Sequence, residues 1–262
     1  PNYLGAEIFS MLKKKKYKKI LFNENFKKNN INEKYIKKIF KNNKIDYVFL
    51  LSGDNGGIQK NLIEPASLIS SNLTLSTNVL KYSYLHKVKK LLFLSSSCIY
   101  PVNINKKLTP DMFLSGKLEE SSQSYAISKI AGMEMCKSYR KQFNCDFISV
   151  IPATVYGPEE NFFTNNSHVI SSLLGRFFLS TKNNDKEISI WGSGKAKRDF
   201  IYYKDLADSL IFLMQKYSDD SPINVGVNEP ISIRSLSYLI KKISNFKGKI
   251  KFDLSKPDGA KI

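Results

Sequence analysis

The chain has 262 residues, 42% hydrophobic and 24% charged, with 41 Lys+Arg against 23 Asp+Glu and a formal net charge of +18. Such a composition builds a globular core, which excludes disordered and fibrous classes. No apolar run approaches the ~20 residues that cross a bilayer, and the opening lysines follow the first apolar stretch, the wrong order for a secretory leader. In chain order, β-branched and apolar runs predict strands over 19–23, 46–51, 89–96, 145–151, 187–191, 222–225 and 249–252. Between them, helical patterns cover 5–15, 32–41, 65–86, 123–142, 167–178, 204–216 and 232–244. This alternation predicts an α/β fold with a doubly wound parallel sheet, whose ligands bind at the carboxyl ends of the strands.

The chain opens on a helix with no strand before it and closes on the turn Lys256-Pro257-Asp258-Gly259, so it is expected to be an excerpt of a longer protein. No linker or repeat divides it. The expected organisation is a dinucleotide-binding unit over 1–158, lacking its first strand, and a smaller α/β substrate-binding lobe, mainly 159–262, with parts returning to the sheet.

The charge raises the question of a polyanionic partner. The excess is almost all lysine: residues 1–44 hold thirteen lysines against three glutamates, and the only arginines are Arg140, Arg176, Arg198 and Arg234. Without arginine forks or interleaved aromatics, the run from Lys13 to Lys19 reads as a solvated helix end rather than a nucleic-acid surface. Three cysteines without CxxC spacing (Cys98, Cys136 and Cys145) point to a reducing, cytoplasmic setting and to no metal site. Cys136 and Cys145 read as core. His86, at a helix end, reads as a cap or surface residue.

The sharpest local signal is Tyr125-Ala-Ile-Ser-Lys129 within a helix. Residues at i and i+4 share a helix face. A lysine ammonium beside a phenol favours the phenolate, so Tyr125 is expected to have a lowered pKa and to exchange a proton with a carbonyl or alcohol oxygen. Ser96 ends a predicted strand 29 residues earlier, where its hydroxyl can reach the same oxygen.

A serine at a strand's carboxyl end followed by YxxxK on the next helix resembles the triad of the short-chain dehydrogenase/reductase superfamily. The segment Pro152-Ala-Thr-Val-Tyr156-Gly-Pro158 points to its extended, nucleotide-sugar-modifying branch. Ser96-Ser97-Cys98-Ile99-Tyr100-Pro101, Asn166-Ser167-His168-Val169-Ile170, Trp191-Gly-Ser-Gly194, Arg198-Asp199-Phe200, Asp205-Leu-Ala-Asp208, Asn224-Val-Gly226 and Ser255-Lys-Pro-Asp-Gly259 are similar to stretches of the GDP-L-fucose synthase family. The resemblance covers essentially the whole chain.

The resemblance implies a Rossmann-type enzyme that epimerises C3 and C5 of GDP-4-keto-6-deoxy-D-mannose and reduces C4 with NADPH, giving GDP-L-fucose. It implies catalytic roles for Ser96, Cys98, Tyr125, Lys129 and His168, with Cys98 as base and His168 as acid; free thiol and imidazole pKa values of about 8.5 and 6.5 lie within tuning range of neutrality. It implies cofactor contacts from Gly5, Pro152, Thr154, Tyr125, Lys129 and His168. Val169, Arg176, Trp191 and Arg198 fall on substrate contacts, where arginine forks a diphosphate and tryptophan offers an apolar platform. A homodimer through the Tyr125 helix and its neighbour is implied as well.

The dinucleotide grip departs from the family pattern. Asn2 stands at a glycine position and Pro1 at an arginine, and Asn23-Glu24-Asn25 replaces the Arg-Thr-Arg run that meets the 2′-phosphate. Asp54 replaces a lysine, and Thr154 a substrate-contacting asparagine. These changes leave NAD open beside NADP. They also leave open a related reductase or epimerase of another GDP-deoxysugar, or a degenerate relative that binds GDP-sugar without turnover.

Overall fold

The computed structural model describes residues 2–17, 19–21, 31–55, 57–102, 104, 106–158, 162 and 169–256. Along the chain run α1 (Asn2–Lys14), α2 (Glu33–Asn42), β1 (Tyr47–Leu50), α3 (Gly57–Ile63), α4 (Pro65–Leu85), β2 (Lys90–Leu94), α5 (Gln123–Phe143), β3 (Phe147–Pro152), β4 (Thr154–Tyr156) and α6 (Val169–Lys182). There follow β5 (Glu187–Trp191), β6 (Lys197–Arg198), β7 (Phe200–Tyr202), α7 (Tyr203–Lys216), β8 (Ile223–Val225), β9 (Ile231–Ser232), α8 (Ile233–Ile243) and β10 (Lys249–Asp253). Short 3-10 turns interrupt the stretch between β2 and α5.

The main sheet has the order β1-β2-β3-β8, with every pairing parallel. Its central strands are apolar along their length because both faces are covered. In β2, Leu91 and Phe93 face the layer of α2, α4 and α5, while Leu92 and Leu94 face α1 and α7. In β3, Phe147 and Ile151 take the first side, Ile148 and Val150 the second. This is the predicted doubly wound arrangement. At the amino ends of β2 and β3, Asp146 pairs with Arg140 (2.6 Å) and the buried Lys90 (3.4 Å), joining α5 to the bottom of the sheet. A separate core joins Leu173 and Phe177 of α6, Ile188 and Ile190 of β5, and Leu236 and Ile240 of α8. There β5 pairs in parallel with β10.

The predicted strand over 19–23 does not form where it is described: residues 19–21 carry no strand, and 22 and 23 lie outside the described residues. Sequence reading also misses α3 and the short pairs β4–β7 and β6–β9. Two- and three-residue strands are too short to show a period of two. The helix predicted from 167 is described from Val169 onward. His86 is the C-cap of α4, its N–H bonded to Tyr82 O, as expected of a cap. Cys136 is buried, and Cys145 packs against the same core.

A close approach of helix to sheet at Gly132 sets the height of α5. A Cβ at Gly132 would lie 2.3 Å from Phe93 Cζ. Replacing glycine by alanine within a helix ordinarily stabilises by about 1 kcal/mol, whereas overpacking a core costs about 1–3 kcal/mol. Gly132→Ala is therefore predicted to lower stability in urea unfolding, and Phe93→Leu to recover part of the loss when combined with it. Unchanged or increased stability of the single variant would show that α5 does not rest on Phe93.

Candidate active site

Three elements converge at the carboxyl end of the sheet. Ser96 leaves β2 in extended backbone and caps a 3-10 turn, its Oγ accepting from Cys98 N at 3.5 Å. Tyr125 and Lys129 lie in the first two turns of α5. The third element is the loop after β1, residues 52–55. Lys129 Nζ donates to Leu94 O (2.9 Å) and Ser52 O (3.2 Å), and it lies 5.7 Å from the Tyr125 ring centroid. Lys129 is only 3% exposed. The predicted catalytic residues of β2 and α5 thus act on one another: Ser96 lowers both the Cys98 thiol and the Tyr125 phenol, and Lys129 lowers the Cys98 thiol through space.

Burial governs the electrostatics. It pushes the Cys98 thiol up to about 11, against the lowering effects of Ser96 and Lys129. It pushes Lys129 down to about 8, opposed by Cys98. Burial also raises the Tyr125 phenol, helped by Cys98 and opposed by the Ser96 hydrogen bond. The expectation of a lowered Tyr125 pKa is thus corrected. Desolvation of the phenolate outweighs the neighbouring ammonium, whose charge is itself disfavoured by burial.

The loop after β1 is held by a residue that sequence reading passed over. Asn72 of α4, 4% exposed, accepts from Asp54 N (2.8 Å) and donates to Asp54 O (2.9 Å). A carboxamide offers donor and acceptor together, here to the N–H and C=O of one residue. The clamp presses Gly53 onto Lys129: a Cβ there would lie 2.8 Å from Nζ. A buried asparagine on an apolar helix face was the available signal. The Asp54 carboxylate pairs with Lys60 of α3. A cleft of about 1530 Å³ runs along the outer edge of β1 between α1 and α2, and reaches this loop at Ser52, Gly53 and Asp54.

The remaining predicted residues lie around this centre. Pro152 ends β3, and Thr154 in β4 donates its N–H to Asp199 O at 3.0 Å. Beyond them, Gly157 passes close to Tyr3 at the start of α1, where a Cβ would lie 2.8 Å from the ring, and Gly5 sits in that same first part of α1. Val169 opens α6 and packs on the smaller core. Arg176 donates to Ser189 O of β5, and Trp191 ends that strand 63% exposed. Arg198 in β6 donates to Lys197 O (2.6 Å). Burial lowers both arginines, and Glu119, in the loop leading to α5, opposes this at Arg198. His168 lies outside the described residues, as do Asn23, Glu24 and Asn25. Among the described residues no helix is long and apolar enough to cross a membrane, and no cluster of three His, Cys, Asp or Glu could hold a metal ion.

The residues suit a nicotinamide dinucleotide. Lys129 has three N–H donors and two carbonyl partners among the described residues, which leaves one for a hydroxyl. The N-terminus of α1 lies at the same end of the sheet, where backbone N–H groups and the helix dipole favour a phosphate.

A parallel sheet covered on both faces, with a serine, tyrosine and lysine at its carboxyl end, defines a nicotinamide-dependent α/β enzyme. The chain belongs to the NAD dependent epimerase/dehydratase family, whose model matches residues 3–226. It is 41% identical over 224 residues to GDP-L-fucose synthase 1 of Arabidopsis thaliana, covering 86% of this chain and 69% of that one. It is 38% identical over 240 residues to the GDP-L-fucose synthase of Escherichia coli K12, covering 88% and 75%. A GDP-L-fucose synthetase of Naegleria fowleri solved with NADP superposes with a TM-score of 0.88 at 30% identity, covering 99% of this chain and 80% of the other.

A thiol held at about 11 is neutral at neutral pH, and its thiolate fraction rises about tenfold per pH unit below that value. Alkylation of Cys98 by iodoacetamide, followed by peptide mass spectrometry, is predicted to accelerate about tenfold per unit between about pH 7 and about pH 9. A plateau near neutrality would contradict the burial argument.

Proposed function

We propose that this chain converts GDP-4-keto-6-deoxy-D-mannose to GDP-L-fucose by epimerising C3 and C5 and then reducing C4. The observation that carries the reading is the Cys98 thiol within the Ser96, Tyr125 and Lys129 group. A simple ketone reductase has no use for such a thiol, whereas an epimerase needs a base beside the carbonyl. Similarity to GDP-L-fucose synthases supports it.

The C4 ketone acidifies the protons on C3 and C5. At each carbon in turn Cys98 takes the proton and His168 returns one from the opposite face, both groups exchanging protons with solvent between the two epimerisations. Burial makes the thiol a poor base at rest, so the lowering effects of Ser96 and Lys129 are part of its activation. In the reduction, Tyr125 gives its proton to the C4 oxygen. A phenol raised by burial stays protonated at neutral pH, the state a proton donor needs. Ser96 hydrogen-bonds the same oxygen, and Lys129 holds Tyr125 and a ribose hydroxyl in place. NADPH, when bound, supplies the hydride.

Gly5, Pro152, Thr154, Tyr125, Lys129 and His168 hold the cofactor. Arg176 and Arg198 take the diphosphate, Trp191 the base, and Val169 lines the sugar site. The dinucleotide-binding unit spans 1–158 and the sugar lobe mainly 159–262. NADH is the alternative reductant, favoured by the carboxylate at Asp54, which ties up Lys60 instead of leaving a cation beside the cofactor. Two copies pair through α4 and α5, whose outer faces expose Leu85, Ile127 and Phe143. The working compartment is the cytoplasm.

Incubation with GDP-4-keto-6-deoxy-D-mannose and either NADPH or NADH is expected to deplete the nicotinamide absorbance and give GDP-L-fucose by NMR. No depletion with either cofactor sinks the reductase assignment. Cys98→Ser is expected to block solvent deuterium entry at C3 and C5 while hydride transfer persists. Deuterium entry at the normal rate would remove Cys98 as the base.

A further inference from the structure

We propose that Arg234 is a positioning residue for nucleotide recognition, bracing the 191–194 turn so that the Trp191 indole stands clear as a platform; this rests on the GDP-sugar reading above. The turn is unusual in what it leaves outside. Trp191 is 63% exposed, although indoles are highly buried on average. The next residues turn sharply: Gly192 and Gly194 have φ of 75° and 73°, in the left-handed region that favours glycine. Trp191 is paired with Asp253 of β10, and the turn beyond it keeps its shape through contacts from neighbouring elements.

Arg234, the second residue of α8, fixes it by three contacts. Its backbone N–H donates to Gly194 O at 2.9 Å. Its Nη2 donates to Ser193 O at 2.9 Å. Its guanidinium carbon lies 3.9 Å from the centroid of the Phe252 ring of β10. The fit is close: a Cβ at Gly194 would fall 2.6 Å from Phe252 Cε1 and 3.1 Å from Arg234 Cβ. From the other side, β10 provides Asp253 O to Gly192 N at 2.9 Å. Lys256, just beyond β10, places its Nζ over the indole ring, 5.7 Å from the centroid.

The geometry requires arginine. A planar guanidinium can stack on Phe252 and donate in its own plane to Ser193 at once, whereas a lysine ammonium is a strongly hydrated point charge that cannot do both. Among the described residues Arg234 has no carboxylate partner, unlike Arg140, which pairs with Asp146. Its contacts go instead to the turn and to the strand behind it.

Trp191 is the only tryptophan in the chain, so its emission reports this turn alone. Wild type, Arg234→Lys and Phe252→Leu are titrated with GDP by tryptophan fluorescence and by calorimetry, with NADPH binding and thermal unfolding measured beside them. The brace predicts a GDP dissociation constant raised about tenfold in Arg234→Lys. It also predicts an altered emission spectrum before GDP is added, and NADPH affinity and thermal midpoint close to wild type. Phe252→Leu, which keeps both hydrogen bonds but loses the stack, falls between. In turnover the change appears in KM for the sugar nucleotide and not in kcat. If wild type binds GDP and Arg234→Lys binds it equally well, Arg234 is not a brace and the GDP-sugar reading stands. If wild type binds no GDP by either method, the GDP-sugar reading fails and the brace with it.

Discussion

A single buried ammonium holds the chemistry of this molecule together. Lys129 bridges the carbonyl oxygens of Leu94, which ends β2, and Ser52, in the loop after β1. Burying a lysine costs several kcal/mol unless hydrogen bonds replace its water, so the helix, the end of β2 and the loop beyond β1 are fixed as one unit. Gly132 sets how near α5 can come to β2, and Gly53 leaves the space that Nζ occupies. Asn72 then clamps the loop onto the lysine. Tyr125, one turn before Lys129, and Ser96, two residues after Leu94, meet as a consequence.

The same burial gives the site its proton logic. Phenol and thiol are both raised and the ammonium is lowered, so each group is biased toward its neutral form. The smaller lobe works differently. Its candidate ligand groups are partly or largely exposed, Val169 and Arg176 on α6 and Trp191 and Arg198 on short strands, and the turn after Trp191 depends on contacts from α8 and β10.

Much of this was legible in the sequence because the periodicities are strong. The continuous apolar runs of β2 and β3 and the long helices α4 and α5 were read nearly to their ends, and Tyr125 and Lys129 fell on one helix face as their spacing requires. The segment 19–21 illustrates a limit: an apolar run forms a strand only where a neighbour accepts its hydrogen bonds, which local composition cannot show. Asn72 and Arg234 illustrate another. Their importance lies in contacts with Asp54, 18 residues away, and with Ser193, 41 residues away, and neither belongs to a recognisable motif. The direction of the Tyr125 shift is not legible in the sequence, which reveals a neighbouring charge but not the depth of burial. The net charge of +18, so prominent in composition, proved to say little about the site; the informative charges are single ones such as Asp54 and Lys129.

The central claim is that Lys129, seated between a strand-end carbonyl and a loop carbonyl, supports proton delivery by Tyr125 to a carbonyl oxygen. Single-turnover hydride transfer from NADPH to GDP-4-keto-6-deoxy-D-mannose in Lys129→Met, with folding verified by circular dichroism, tests it most directly. The account predicts a folded protein whose transfer rate falls by about 10²–10⁴-fold, the usual contribution of positioned acid catalysis. Transfer at the wild-type rate in the folded variant would contradict it.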